Sequence, residues 1–152
     1  MRLIILRHAE AVPGSDQDAA RVLTVRGQEQ ARLQAQRLIA EEGSVSLLTS
    51  PWRRARQTAD HIAVAQGIEP VESECLTPGG SPEAVVTLLE SHAGVDTLII
   101  VTHQPLCGRL INWLVDASRS SLSVAPASGA ELELDWPAAG LAYHRRCLSP
   151  TS

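Results

Sequence analysis

The chain has 152 residues, a formal net charge of -4, 44% hydrophobic residues and 20% charged residues. That length can bury a core without disulfides or metals, and the composition lies far from that of disordered chains, so one domain over residues 1–152 is expected. The acidic balance, with only 3% aromatic residues, argues against nucleic-acid and anionic-membrane binding, which need a basic surface and, for single strands, stacking platforms.

Arg2-Leu-Ile-Ile-Leu-Arg7 is a short, nearly continuous apolar run and reads as a strand buried on both faces. Asp16 to Ala20 reads as a loop. Thr24 can cap a helix predicted over Val25 to Glu42, where Ala31, Ala35, Leu38 and Ile39 recur at helical spacing and Gly43 closes the end. Val45 to Thr49 follows as a second strand. Ser50-Pro51 is a helix start signal, with Ser accepting from a free amide and Pro at the first helical position, and that helix is predicted to run to Gln66. A short strand is expected at Glu69 to Glu72 and a loop from Leu76 to Ser81. Ser81-Pro82-Glu83 opens a helix through His92, Leu98 to Thr102 is a further buried strand, and Pro105 opens a helix through Val115. Leu122 to Ala125 and Ala130 to Trp136 read as extra strands, and no element is assigned after Pro137.

This alternation predicts an α/β domain: a three-layer α/β/α sandwich around a mostly parallel, mixed sheet of about six strands, with little chain left to build a lid. The apolar runs at 3–6 and 98–101 are too short to cross a bilayer or to form a secretory signal. Cys75, Cys107 and Cys147 are odd in number and lack paired metal-ligand spacing, so reduced thiols and a cytoplasmic location are expected, with no metal.

Three polar clusters fall directly after predicted strands: Arg7-His8, Ser50 to Arg54, and His103. Ligands of open α/β sheets bind outside the carboxyl ends of the strands, so these clusters can converge on one pocket. All 13 basic residues are Arg, a bias of the whole chain, so position must decide which of them matter. Leu6-Arg7-His8-Ala9-Glu10, Ser50-Pro51-Trp52-Arg53-Arg54-Ala55-Arg56-Gln57-Thr58 and Thr102-His103-Gln104-Pro105 together resemble the histidine phosphatase superfamily. That family reads R-H-G after the first strand, S-P-x-x-R-A-x-Q-T at a helix start and a His after a later strand. Within it, the short length, Arg21 to Gly27 and Leu76 to Pro82 look like the small phosphohistidine phosphatases. Ala9 departs from the family's Gly.

The resemblance implies His8 as nucleophile, with Arg7, Arg54 and His103 around a phosphoryl group and Arg21 either at the rim of the pocket or a solvated surface charge. Neighbouring guanidinium groups should favour a neutral, nucleophilic imidazole, and their forks suit the equatorial oxygens of phosphoryl transfer. Arg53, one position from Arg54, points about 100 degrees away on a helix and is expected at the surface or rim. Ser50 is expected to cap its helix. The reaction needs no cofactor. The implied substrate is a phosphorylated histidine-containing phosphotransfer domain of a signalling relay, met by a monomeric enzyme. Transfer between two imidazoles is chemically near balance and depends less on an acid, for which Glu10, Asp16, Asp18, Glu74 and Glu83 are all available. Two other readings stay open: a small-molecule phosphatase or phosphomutase with the same His8 chemistry, and a non-catalytic phosphoprotein-binding module if Ala9 displaces His8.

Overall fold

A strand covered by helices on both sides must be apolar throughout, and the two central strands meet that demand. In the computed structural model, which describes residues 1–14, 16–38 and 43–151, β1 (Arg2–Arg7) is buried along its middle and β4 (Thr97–Thr102) along its whole length. With β2 (Val45–Thr49), β3 (Pro70–Glu72), β5 (Gly129–Glu133) and β6 (Tyr143–Leu148) they form one sheet in the order β3-β2-β4-β1-β5-β6. The first four strands in that order run parallel, β5 is antiparallel to β1, and β6 is antiparallel to β5.

Side chains of a strand alternate between faces, and this alternation sorts the helices into two layers. Leu3 and Ile5 of β1 and Leu98 and Ile100 of β4 share a core with α3 (Pro82–Glu90) and α4 (Leu106–Asp116), through Val85, Leu89, Leu110 and Leu114. Ile4, Leu6, Ile99 and Val101 face the other way, onto α1 (Val25–Arg37) and α2 (Arg53–Gln66). There α2 offers Ala55, Ala59, Ile62 and Ala63, an apolar stripe at helical spacing. Each fully buried Leu or Ile contributes about 1.5–3 kcal/mol, so these two cores fix the strand tips on which the site stands. The architecture is the expected α/β/α sandwich.

Local chemistry explains most element ends, and tertiary contacts explain the exceptions. Thr24 caps α1 as expected, its Oγ1 accepting from Gly27 N at 2.9 Å. A Cβ at Gly27 would lie 1.9 Å from the Glu10 carbonyl oxygen, so glycine lets α1 seat directly on the segment that follows β1. The helix ends at Arg37 with Leu38 as its cap, short of Glu42; residues 39–42, including Ile39, lie outside the described residues. Ser81 caps α3 through Ala84 N, but that helix stops at Glu90 rather than His92. The expected loop at 16–20 contains a single 3-10 turn, Asp18–Ala20, and another such turn spans Glu74–Leu76.

Three further expectations are corrected. Leu122 to Ala125 is not a strand: its carbonyls accept from Gln104 Nε2 and from Arg7 Nη1, both at 2.9 Å, and Leu122 N donates to Gly108 O, so its backbone serves α4 and the site instead of a ladder. The sixth strand is instead β6, in the unassigned tail. It lies on an edge, mostly exposed except at Leu148, and carries the charged pair Arg145 and Arg146, so it has no apolar alternation to read. Helix α2 begins at Arg53 rather than Pro51, because Ser50 is held elsewhere, as described next.

Candidate active site

Strand register assembles the site. Arg7 pairs with Thr102 at the end of the β1–β4 ladder, which leaves His8 and His103 side by side one residue beyond it. His8 N continues the pairing to Thr102 O at 2.9 Å, and Ser50 N, at the tip of β2, donates to Val101 O at 3.1 Å. Three neighbouring strand tips thus present Ser50, His103 and His8 in a row. The two imidazole centroids are 5.1 Å apart with planes tilted by 58°. Ser50 Oγ lies 2.8 Å from His103 Nε2 and also accepts from Trp52 N, so it braces the imidazole and the turn into α2 rather than acting as the helix cap. The Trp52 ring stands edge-on to His103 at 5.3 Å, and the Arg54 guanidinium lies 4.9 Å from the Trp52 centroid.

The hydrogen bonds of His8 define its tautomer. Its Nδ1 lies 2.7 Å from the Ala9 carbonyl, which can only accept, so Nδ1 carries the proton. Nε2 then carries the unprotonated lone pair, which accepts from Arg54 Nε at 3.3 Å. Burial pushes the His8 pKa down to about 4; the Ala9 carbonyl opposes the shift, and the charges of Arg54, Arg7 and Arg21 assist it. For His103 burial is again the main cause, with His8 and the same arginines added, and the pKa falls to about 2. Both rings are therefore neutral in the free protein. A bound dianion would oppose the arginine charges and shift His103 towards protonation.

The arginines close in from three directions. Arg54, in the first turn of α2, is buried; its Nη1 donates to Asp18 O at 2.8 Å and its Nη2 pairs with Asp18 Oδ2 at 3.5 Å. Arg21 Nη1 donates to Asp18 Oδ1 at 3.1 Å, which places this residue with the cluster rather than free in solvent. Arg7 Nη1 is held by Val124 O at 2.9 Å. Arg7 Nε, Arg21 Nε and His103 Nδ1 are buried and make no hydrogen bond among the described residues; the two guanidinium N–H groups are surplus donors beside a neutral imidazole and suit an oxyanion. Arg53 is exposed, as expected.

Of the acidic candidates, only Asp18 is shown in contact with the arginines of the cluster. Glu10 is engaged with Thr24 and Arg26, and Glu83 with Arg119. Ala9 is buried and has no positive φ, so the backbone there does not require glycine, and its amide donates to Thr58 Oγ1 at 3.0 Å. Cys107 is buried with its thiol pushed up to about 12 by desolvation, which removes it as a nucleophile. Two grooves of about 510 and 530 Å³ border α2 and share Gln57 and Asp60, but neither includes His8 or His103. The sequence reading gave no role to Trp52, Gln57 or Thr58, although all three lie in the quoted S-P-x-x-R-A-x-Q-T stretch. Gln57 Oε1 accepts from Leu23 N at 2.8 Å, and Thr58 Oγ1 donates to Arg54 O at 2.8 Å, so both position the segments around His8.

Known proteins share this arrangement of chain. A phosphohistidine phosphatase SixA homolog of Haemophilus influenzae is 32% identical over 157 residues, covering 95% of each chain. Phosphohistidine phosphatase SixA of Escherichia coli is 31% identical over 117 residues, 73% of this chain and 72% of that protein. The structure of the protein histidine phosphatase SixA complexed with tungstate matches with a TM-score of 0.85 at 27% identity, covering 99% of this chain and 97% of the other. The model of the histidine phosphatase superfamily (branch 1) matches residues 3–77, the span from β1 to the loop before α3. By sequence and by fold, the chain belongs to the histidine phosphatase superfamily.

Proposed function

We propose that this chain is a protein phosphohistidine phosphatase whose substrate is a phosphorylated histidine-containing phosphotransfer domain of a signalling relay. The observation that carries the reading is the His8 tautomer, with Nδ1–H tied to Ala9 O and the Nε2 lone pair beside the Arg54 guanidinium. Nε2 attacks phosphorus, the phosphorus–nitrogen bond of the substrate breaks, and the leaving imidazole takes a proton from solvent. Water then attacks phosphorylated His8 and releases inorganic phosphate. Arg7, Arg21 and Arg54 bind the equatorial oxygens, and His103 becomes a further donor once the dianion favours its protonation. The phosphohistidine activity in the names of the SixA relatives supports the substrate class. We assign the activity to the cytoplasm, where free thiols such as Cys75, Cys107 and Cys147 stay reduced, and to a monomeric enzyme.

The test is incubation with a phosphohistidine-bearing phosphotransfer protein, alkaline quenching and mapping of the label. An acid-labile phosphate on residue 8 is expected, with neither label nor turnover in His8→Ala. A panel of sugar and nucleotide phosphates run in parallel covers the rival substrate class, and faster hydrolysis of one of these would replace the phosphoprotein reading. Binding of the phosphoprotein with no label at all would leave a non-catalytic module.

A further inference from the structure

The arginines assigned to the phosphoryl group already hold an anion, and it belongs to the chain. Asp18 places one carboxylate oxygen 3.1 Å from Arg21 Nη1 and the other 3.5 Å from Arg54 Nη2, so a single carboxylate spans two of the three cationic side chains. Its main-chain carbonyl independently holds Arg54 Nη1 at 2.8 Å. A carboxylate and a phosphoryl group are both oxyanions that engage guanidinium donors, and the same N–H cannot serve both fully. Two anions side by side also repel.

The pairing is asymmetric in a way that favours exchange. The Arg54 side chain is 6% exposed, whereas the Asp18 side chain is 50% exposed and rides on a three-residue turn with no buried member. The carboxylate can therefore swing into solvent with little loss of packing, while Arg54 stays in place beneath it, still tied to the Asp18 carbonyl. Asp18 was one of five possible proton donors in the sequence, and its contacts point to a different task.

We propose that Asp18 is a resident counter-anion that competes with phosphate for Arg21 and Arg54, weakening retention of the inorganic phosphate product and raising the demand on substrates to supply contacts beyond the phosphoryl group. If the carboxylate holds the arginines most of the time, the apparent affinity for any oxyanion is scaled down by the fraction of time they are free. Asp18 is thus a specificity-determining residue, and it acts on any reaction of this site that releases phosphate.

The experiment is calorimetric titration of the full chain with inorganic phosphate and with tungstate, in wild type, Asp18→Asn and Asp18→Ser, alongside the melting temperature of each. Both variants should bind both anions about tenfold tighter, which corresponds to arginines free about one tenth of the time in the wild type. Product inhibition by phosphate should strengthen by the same factor. Equal or weaker anion binding in both variants would overturn the proposal and make Asp18 a residue that orients the arginines. Loss of the folded state in both would also overturn it, since Asp18 would then be structural. The titration uses no phosphohistidine substrate, so its outcome is separate from the fate of the substrate assignment.

Discussion

Two arginine clusters stand at different places on the same sheet, and they differ in what satisfies them. On the antiparallel side, Arg2 pairs with Glu131 at 2.8 Å, Arg146 with the same carboxylate at 3.2 Å, and Arg145 with Glu133 at 3.6 Å, while Glu133 also takes the N-terminal amine at 3.2 Å. These carboxylates come from β5, between the strands that carry the arginines, so cross-strand neighbours supply the counter-charge. At the carboxyl end of the parallel strands, Arg21 and Arg54 share one carboxylate, that of Asp18, and Arg7 is held by the Val124 carbonyl. The lesson is that in a chain rich in arginine the functional ones are not marked by type or number. The ones proposed to bind phosphate are set apart by sharing fewer carboxylates than their number, beside the imidazole proposed as nucleophile, where an outside anion can complete the pairing.

Substitutions in each cluster should therefore fail in opposite ways. The largest effect is expected from Arg54→Ala, which removes the guanidinium beside His8 Nε2 and should lower kcat/KM for a phosphohistidine donor by about 10³-fold, with the fold retained by circular dichroism. Glu131→Gln should do the reverse: it keeps an acceptor oxygen but removes the buried negative charge shared by Arg2 and Arg146, and should cost about 1–3 kcal/mol in urea unfolding, with turnover unchanged. If Glu131→Gln abolished turnover while leaving stability intact, the contrast between the clusters would be lost.

The smallest effect sharpens the contrast through pH. His8 and His103 are held neutral in the folded chain, with pKa values of about 4 and about 2, so below an unfolded value of about 6.5 only the unfolded chain takes up protons on these rings. The contribution to stability from these two groups therefore falls as pH drops from 6.5 towards 4 for His8 and onward towards 2 for His103. Unfolding free energies measured between pH 7 and 4 should show this slope, and it should be shallower in His103→Gln. In the same range kcat/KM should show no loss of the neutral nucleophile near pH 6.5, because the free enzyme titrates His8 only near 4. A drop in wild-type kcat/KM centred at 6.5, with a donor that does not itself titrate there, would contradict the electrostatic account.

Much of this was legible in the residues, and the parts that were not share a cause. The central strands were readable because double burial demands apolar runs, and β1 and β2 match their expected limits. The convergence of Arg7, His8 and His103 follows from their places at strand ends, and that of Arg54 from the motif spacing that sets it in the first turn of α2. Ser50 was misjudged as a cap because the Ser-Pro signal is local, whereas its hydroxyl is held across the sheet by His103. Leu122 to Ala125 looked like a strand from composition, yet its carbonyls answer to Arg7 and Gln104. Asp18 was indistinguishable from four other acids because only the folded chain brings it to two guanidinium groups. In each case the deciding partner lies far away in sequence.

The pairing of Arg7 with Thr102 has a consequence for how this site tolerates change in length. The distance between the two imidazoles is inherited from the spacing of adjacent strands, so no loop has to be tuned to bring them together. The cost is rigidity of frame: adding or losing one residue inside β4 would turn position 103 towards the opposite helical layer and expel one ring from the pair. Insertions that enlarge such a site must therefore enter after the strand tips, in the connections, and never within the strands that carry the rings.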